Sequence, residues 1–240
     1  MAGYREFLAE SIGTFALVFF GTISVTLAVS VFGAGLSIGS ILMIAAAHGA
    51  AVGLMVYAFG QVSGAHINPA VTVSMLVTGR IGRMDAAGYI IFQVLGATLA
   101  AAAHMLLLPQ GAAVNFGTQG GPSELLGFNA ASGVAVEAIL TFFLVTTIFM
   151  TAVSKKASPG FAGLAIGGMI FLIHVIGVPL TGASVNPART LGPAIISDSW
   201  DFHWIYWVGP MVGAIVAGLV MSYVFLNEKS ARKPSRKKGR

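Results

Sequence analysis

Long runs of apolar residues, separated by short polar connections, dominate the chain. Six runs are long enough to cross a bilayer at about 20 residues per helix. They cover roughly residues 7–29, 40–60, 86–108, 133–153, 161–178 and 204–226. Two further apolar runs, which end before Arg80 and Ser197, hold only about ten residues each and are too short to cross. The pattern predicts an all-α membrane protein with six transmembrane helices and two re-entrant half-helices.

Each short run begins with an Asn-Pro-Ala triplet. The six triplet residues are Asn68, Pro69, Ala70, Asn186, Pro187 and Ala188. Asn is a favoured helix N-cap, and Pro is favoured at the first helical position because its missing N–H is not needed there. Lipid cannot satisfy the N–H groups of a helix that starts inside a membrane, so such a start is packed in protein or lines a watery cavity. Two such starts indicate a pore or a transport site.

The composition supports this interpretation. Hydrophobic residues make up 56% of the chain and charged residues 9%, against about 25% charged residues in soluble domains. Cysteine is absent, which excludes disulfides, thiolate metal sites and a cysteine nucleophile. The net charge of +5 does not indicate nucleic-acid binding, because six of the thirteen basic residues lie in residues 232–240. We expect residues 229–240 to form a solvated cytosolic tail that contacts, at most, anionic lipid.

The remaining basic residues predict the orientation. Those that flank the spans all fall on one side of a six-span arrangement: Arg5, Arg80, Arg83, Lys155 and Lys156. By the positive-inside rule both termini are cytosolic. The opposite connections carry Glu124, Asp198 and Asp201, and four aromatic residues there are expected to anchor the outer interface: Trp200, Trp204, Tyr206 and Trp207. The short loops and the lack of a signal peptide favour a prokaryotic inner membrane.

The chain is also an internal repeat. Glu10 and Thr14 in the first span correspond to Glu137 and Thr141 in the fourth. We expect one channel domain over residues 1–228, with repeats at about 5–110 and 130–228. Three spans per repeat, an odd number, invert the second repeat, so the half-helices enter from opposite faces and their Asn ends meet near the midplane. Gly-x-x-x-Gly pairs at 49/53, 163/167 and 209/213 predict close helix packing, although chance is an alternative in a glycine-rich chain.

These residues together resemble the aquaporin (major intrinsic protein) family. The resemblance rests on the two triplets, on Arg189 three residues after Asn186, and on the paired Glu10 and Glu137. It spans about residues 6–226 and is closest to the water-selective, prokaryotic type. It implies a right-handed six-helix bundle, a pore in every monomer and a homotetramer in membrane lipid.

By the same resemblance, a selectivity filter contains His48, His174, Ala183 and Arg189. His48 departs from the family pattern, because most water channels have Phe there, and Ala183 is smaller than the common Cys or Thr. The filter is therefore expected to be very polar and slightly wide. Alternatives are a helix contact for the histidines and an ion pair that pins a loop for Arg189.

Further roles follow for the loops. The Asn side chains are expected to cap their helices and to donate N–H groups to water. The helix starts carry about +0.5 of an elementary charge each and repel cations. The carbonyls of Gly64, Ala65, His66, Gly182 and Ser184 are expected to form a ladder of acceptors for water. Glu10 and Glu137 are expected to accept N–H groups of the loops, with a proton relay as the alternative.

The predicted function is a passive water channel that excludes protons and ions. One alternative is a channel for other small neutral solutes, such as ammonia, hydrogen peroxide or glycerol, and a less favoured one is a secondary carrier. The histidines are scattered and no His-Glu-x-x-His motif occurs, so we expect neither an enzyme nor a metal or cofactor site.

Overall fold

The computed structural model describes residues 2–31, 33 and 36–226, so the predicted tail at 229–240 lies outside the described residues. Every regular element in this part of the chain is helical. Its eight α-helices are α1 (Tyr4–Thr26), α2 (Ile38–Phe59), α3 (Pro69–Val77), α4 (Arg83–Leu107), α5 (Ala130–Ile148), α6 (Ala162–Thr181), α7 (Pro187–Ser197) and α8 (Ile205–Val220). Short π-helical turns extend α1, α5 and α8, at Leu27–Val31, Phe149–Val153 and Met221–Phe225. The connection between α4 and α5 contains two 3-10 segments, Pro109–Gly117 and Glu124–Leu126; we call it the outer connection after the orientation that the sequence predicts.

Six of these helices are long and apolar enough to cross a membrane, and they confirm the six predicted spans to within a few residues. The helices α3 and α7 have 9 and 11 residues, too few to cross a hydrocarbon core about 30 Å thick at 1.5 Å per residue. They are the two half-helices that the sequence predicted. The protein is therefore an integral, multi-pass membrane protein.

Glycines let the helices of each repeat approach closely. α1 packs against α4 in the first repeat, and α5 packs against α8 in the second. A Cβ atom at Gly96 of α4 would collide with the carbonyl oxygen of Ser11, and one at Gly213 of α8 would collide with that of Ala138. These two glycines occupy matching places in the repeat, so both halves use the same backbone contact.

The pair α2 and α6 joins the two repeats. A Cβ atom at Gly49 would lie 2.7 Å from the carbonyl oxygen of Gly167, and one at Gly53 would lie 2.8 Å from that of Gly163. Any side chain there would force the helices apart. The close packing predicted from these Gly-x-x-x-Gly pairs is confirmed.

The half-helices interlock the repeats. α3 of the first repeat packs against α8 of the second, and α7 of the second packs against α4 of the first. Their N-terminal ends meet, because Asn68 and Asn186 each bond to the loop that precedes the other half-helix. The protein is thus an inverted repeat whose two loops face each other in its interior.

Candidate functional site

A cavity of about 590 Å³ lies inside the bundle between the two repeats. At one end its wall includes Tyr57, Arg80 and residues of the connection between α5 and α6, and at the other it reaches His48, His174 and Arg189. Between these ends it passes both half-helix starts. Residues of the two loops along its wall are Gly64, Ala65, His66, Ile67, Asn68, Ser184, Val185 and Asn186.

Both triplet asparagines cap their half-helices. The Oδ1 atom of Asn68 accepts the N–H of Ala70 at 2.8 Å. The Oδ1 atom of Asn186 accepts the N–H groups of Ala188 at 3.1 Å and Arg189 at 3.3 Å. The caps therefore satisfy N–H groups that lipid would leave without partners, as the sequence predicted.

Each asparagine also donates across the repeat. Asn68 Nδ2 donates to the carbonyl oxygen of Val185 at 2.7 Å, and Asn186 Nδ2 donates to that of Ile67 at 2.9 Å. An amide NH₂ group has two hydrogens, so one remains on each asparagine. Both asparagines line the cavity, and the cross-repeat bonds hold them together where the two half-helices meet.

The loops before the half-helices have an unusual backbone. In the first loop φ is 85° at Gly64, 47° at Ala65 and 55° at Ile67. In the second it is 84°, 52° and 47° at the matching residues Gly182, Ala183 and Val185. Positive φ is strained for β-branched residues and persists only where the surroundings enforce it. Among the described residues, no donor bonds to the carbonyl oxygens of residues 64–66 or 182–184, so these oxygens remain available as acceptors.

Glu10 enforces the first loop. Its Oε1 atom accepts the hydroxyl of Ser63 at 2.6 Å and the N–H of His66 at 2.9 Å. Its Oε2 atom accepts the N–H of Ile67 at 2.6 Å and the side-chain amide of Gln93 at 2.7 Å. The carboxylate is fully buried, so these four donors replace its hydration.

Glu137 enforces the second loop in the same way. Its Oε1 atom accepts the hydroxyl of Thr181 at 2.6 Å and the N–H of Ser184 at 3.0 Å, and its Oε2 atom accepts the N–H of Val185 at 2.8 Å. This side chain is also fully buried. The position that matches Gln93 is Pro210, which carries no polar side chain, so the second carboxylate has one donor fewer.

Two histidines stack at one end of the cavity. The ring centroids of His48 and His174 lie 4.1 Å apart with an angle of 28° between the rings. Each Nδ1 atom lies 2.8 Å from a carbonyl oxygen one turn earlier, that of Ile44 or Ile170. A carbonyl only accepts, so Nδ1 carries the hydrogen, and Nε2 of each neutral ring is an acceptor.

Arg189 completes this end. Its Nη2 atom donates to Nε2 of His48 at 3.3 Å, and its Nη1 atom donates to the carbonyl oxygen of Gly117 at 3.2 Å. Neither partner is a carboxylate. Within the described residues, Nε of Arg189 and Nε2 of His174 have no partner although both atoms are buried. One donor, on Arg189, and one acceptor, on His174, thus remain without partners at this end of the cavity.

The comparisons with known proteins fit this geometry. A family model described as "Major intrinsic protein" matches residues 1–221. The chain belongs to the major intrinsic protein family. Aquaporin-4 of Rattus norvegicus is 42% identical over 184 residues, which cover 76% of this chain and 56% of that protein. The chain thus spans little more than half the length of this relative. Aquaporin-2 of Ovis aries is 40% identical over 227 residues, which cover 92% of this chain and 78% of that protein.

A solved structure shares the fold. The X-ray structure of the aquaglyceroporin from Plasmodium falciparum superimposes with a TM-score of 0.80 and covers 92% of this chain and 96% of that chain. The sequence identity is 24%, so this likeness shows that the fold is that of the major intrinsic proteins and no more.

Ala183, which the family pattern names, has a different setting from the other three filter residues. It is fully buried in the apolar cluster that contains Ile173 and Val185. Within the described residues, the wall of the cavity includes Ser184 but neither Ala183 nor Gly182. The structure stacks His48 on His174 and places His48 within hydrogen-bond distance of Arg189, whereas Ala183 packs among apolar side chains.

Sequence reasoning missed the tyrosines that hold the loops. Tyr89 donates to the carbonyl oxygen of Ser63 at 2.8 Å, and Tyr206 donates to that of Thr181. Tyr206 is fully buried, so its predicted place in the interfacial aromatic group was wrong, whereas Trp200 and Trp204 are exposed. The internal repeat could have identified these two tyrosines, because Tyr89 follows Ser63 by 26 residues and Tyr206 follows Thr181 by 25.

Residues of the outer connection were missed as well. Gly117 supplies a carbonyl to Arg189. Gln119 is 5% exposed, and a Cβ atom at Gly182 would lie 2.8 Å from its Cγ atom. Neither polar atom of Gln119 has a partner among the described residues. No motif marks this segment, which lies more than 60 residues from Arg189 in the sequence.

Proposed function

We propose that this member of the major intrinsic protein family is a passive water channel. The observation that carries the proposal is the pair of asparagines at the meeting point of the half-helices. Each is held by a cap and by a cross-repeat bond, each has one amide N–H beyond these bonds, and both residues line the cavity. Two fixed donors at one point engage both lone pairs of a single water molecule.

The rest of the path suits water in single file. The unbonded carbonyls of residues 64–66 and of Ser184, which line the cavity, offer acceptors that replace the hydrogen bonds lost in leaving bulk water. We propose the same role for the carbonyls of Gly182 and Ala183, which precede Ser184 in the loop. Glu10 and Glu137 keep these carbonyls in place by binding the N–H groups behind them. Their bonds go to loop donors, which favours a supporting role over a proton relay.

We assign the exclusion of ions and protons to two features. Each half-helix start carries about +0.5 of an elementary charge, and the two starts meet at the asparagines. Arg189 adds a full charge at the end of the cavity, beside His48 and His174. Cations are repelled at both places, whereas water is neutral and finds its hydrogen bonds replaced. We propose that His48, His174, Ala183 and Arg189 form the filter, in which Ala183 packs against the apolar cluster that contains Ile173 and Val185.

The setting of the channel follows from the distribution of charge. The N–H of Ala2 donates to Asp85 at 2.9 Å, which places the start of α1 beside the start of α4, near Arg83. The connection from α5 to α6 carries Lys155 and Lys156 at the same end of the bundle. We propose that this end is cytosolic and that the membrane is a prokaryotic inner membrane. We also propose one channel domain over 1–228 and a homotetramer with a pore in each subunit.

Stopped-flow light scattering on proteoliposomes tests the proposal. A sucrose gradient measures water flux, and we expect a rate well above that of empty liposomes with a low activation energy. A variant in which both asparagines are replaced by Ala serves as the comparison. A rate equal to that of empty liposomes at normal protein content would reject the proposal.

A second candidate cargo is ammonia. Nε of Arg189 offers a donor and Nε2 of His174 offers an acceptor, and ammonia, like water, both donates and accepts. An ammonium gradient with a pH-sensitive dye inside the liposomes measures this flux. An internal alkalinisation no faster than in empty liposomes would leave water as the cargo. A glycerol gradient measures whether the protein also passes a larger solute, which distinguishes a channel for water or ammonia from a family member that passes larger solutes.

A further inference from the structure

We propose that His104, which lies outside the cavity wall, is a positioning residue for Arg189. It acts through the turn at residues 115–117, whose last carbonyl binds the guanidinium group. The inference rests on the proposed function, because it concerns the residue to which we assign selectivity.

His104 of α4 is fully buried and forms hydrogen bonds with two threonines near the end of α1. Its Nδ1 atom lies 2.8 Å from the hydroxyl of Thr22, and its Nε2 atom lies 3.0 Å from that of Thr26. A neutral imidazole has one donor and one acceptor, and a hydroxyl serves as either. Both ring nitrogens are therefore satisfied, and the orientation of the ring is fixed by two bonds.

The outer connection folds over this ring. Phe116 meets His104 edge to face, with ring centroids 5.4 Å apart and an interplanar angle of 89°. A Cβ atom at Gly111 would lie 2.7 Å from Nε2 of His104 and 2.7 Å from the ring of Phe116. The segment Pro109–Gly117 thus closes tightly on the imidazole, and Phe116 is held against it.

The turn has a backbone that needs such support. Asn115, Phe116 and Gly117 have φ values of 47°, 48° and 75° in succession. Left-handed conformations of non-glycine residues are strained and persist where the surroundings enforce them. A Cβ atom at Gly117 would lie 3.0 Å from Cβ of Thr22, so the threonine that binds His104 also limits this turn.

The turn fixes the position of the carbonyl oxygen of Gly117. This oxygen accepts from Nη1 of Arg189 at 3.2 Å, and His48 is the other partner of the guanidinium group among the described residues. If the carbonyl of Gly117 moves away, the long cationic side chain of Arg189 keeps only one partner and can adopt more rotamers. The hydroxyl of Thr118 still bonds to Ser197 at 3.0 Å, so a weakened turn shifts the carbonyl without detaching the connection.

Two substitutions test the proposal from different directions. Phe116→Ala removes the ring that His104 holds, and Thr22→Val removes one hydroxyl from His104 while keeping the shape of the side chain. The matched control is Thr98→Val on α4, whose hydroxyl donates only to Val94 of its own helix, at 2.9 Å. The ratio of glycerol to water permeability is measured in proteoliposomes, for each substitution alone and in combination with Arg189→Val.

We expect Phe116→Ala and Thr22→Val to raise the ratio of glycerol to water permeability severalfold and Thr98→Val to leave it unchanged. In the Arg189→Val background, neither test substitution should raise the ratio further. A rise of equal size with and without Arg189 would overturn the inference, as would an unchanged ratio in correctly inserted Thr22→Val protein. An unchanged ratio in Arg189→Val by itself would reject the role of Arg189 and the inference with it. A rise in Arg189→Val with none in the two test variants would overturn only the inference.

Discussion

The two ends of the cavity are related by the repeat, yet they differ in chemistry. The triplets lie 118 residues apart (186 − 68), and the same offset matches Ile166 to His48, Val56 to His174 and Val71 to Arg189. All six side chains line the cavity. The three side chains His48, His174 and Arg189 are polar and one of them is cationic, whereas their three counterparts are apolar. In the proposed channel, the duplicated backbone forms the path, and the side chains that differ between the repeats are the ones to which we assign selectivity.

The two loops before the half-helices, unlike the two ends of the cavity, are held by matching bonds. Nearly every bond that holds the first loop recurs in the second: a carboxylate, a hydroxyl, two N–H groups and a tyrosine. Equivalent bonds in two inverted copies indicate a shared structural need rather than selectivity. Substitutions at matched positions test this difference. Substitutions of residues that support the loops should have equal effects in the two repeats, whereas substitutions of residues that set selectivity should not.

The largest effect is expected from Glu10→Gln and Glu137→Gln. A glutamine presents an NH₂ group to at least one backbone N–H in either loop, which costs about 1–3 kcal/mol for each N–H left without an acceptor. We expect both variants to lose most water permeability and to unfold at lower temperature in detergent. The exposed Glu124→Gln is the control. A normal rate in either variant would show that the carboxylates do not hold the loops.

The second effect is expected from Arg189→Val, which makes the two repeats alike at one of the three matched pairs of cavity residues that differ in polarity. The change removes the charge and much of the side-chain volume, so glycerol flux should rise roughly tenfold, as for a barrier lowered by about 1.4 kcal/mol. Water flux should fall little. Arg83→Val, an exposed change at the start of α4, is the matched control. Glycerol flux that stays at the wild-type value would place the size limit elsewhere.

A smaller effect is expected from Gly21→Ala. A Cβ atom at Gly21 would collide with the ring of His48, and the ring is expected to move towards the cavity because overpacking costs about 1–3 kcal/mol. Water permeability should fall severalfold while folding is kept. Gly168→Ala is the control, since a Cβ atom there meets no neighbour within 4 Å. Equal rates in the two variants would argue against a role of His48 in the filter.

The smallest effect is expected from Gln93→Leu. Gln93 donates to Glu10 and to Thr72 at 2.7 Å and 3.0 Å, and it has no polar counterpart in the second repeat. Losing these bonds should lower stability by about 1–2 kcal/mol, seen as a lower melting temperature, with less than a twofold change in water rate. The exposed Gln110→Leu is the comparison. A large loss of water permeability would mean that the two loops are not equally supported by their carboxylates.

Much of this architecture follows from local rules that a sequence displays directly. Span length follows from the thickness of the membrane, and the half-helix starts follow from the capping preference of Asn and the fixed φ of Pro. The matching of Glu10 with Glu137 is visible because the repeat preserves it. Tyr206 shows the limit, because aromatic residues near a span end predict an interface, whereas this ring is buried and bonds to Thr181.

The sequence by itself determined the six spans, the two half-helices, the inverted repeat and the family. Only the tertiary structure decided that the amide of Asn68 bonds to Val185, that Arg189 rests between His48 and Gly117, and that the two histidines stack. The physical reason is distance along the chain. Hydrophobic runs and caps involve neighbouring residues, whereas these contacts join residues 72 to 141 positions apart. They form only when helices from both repeats have packed.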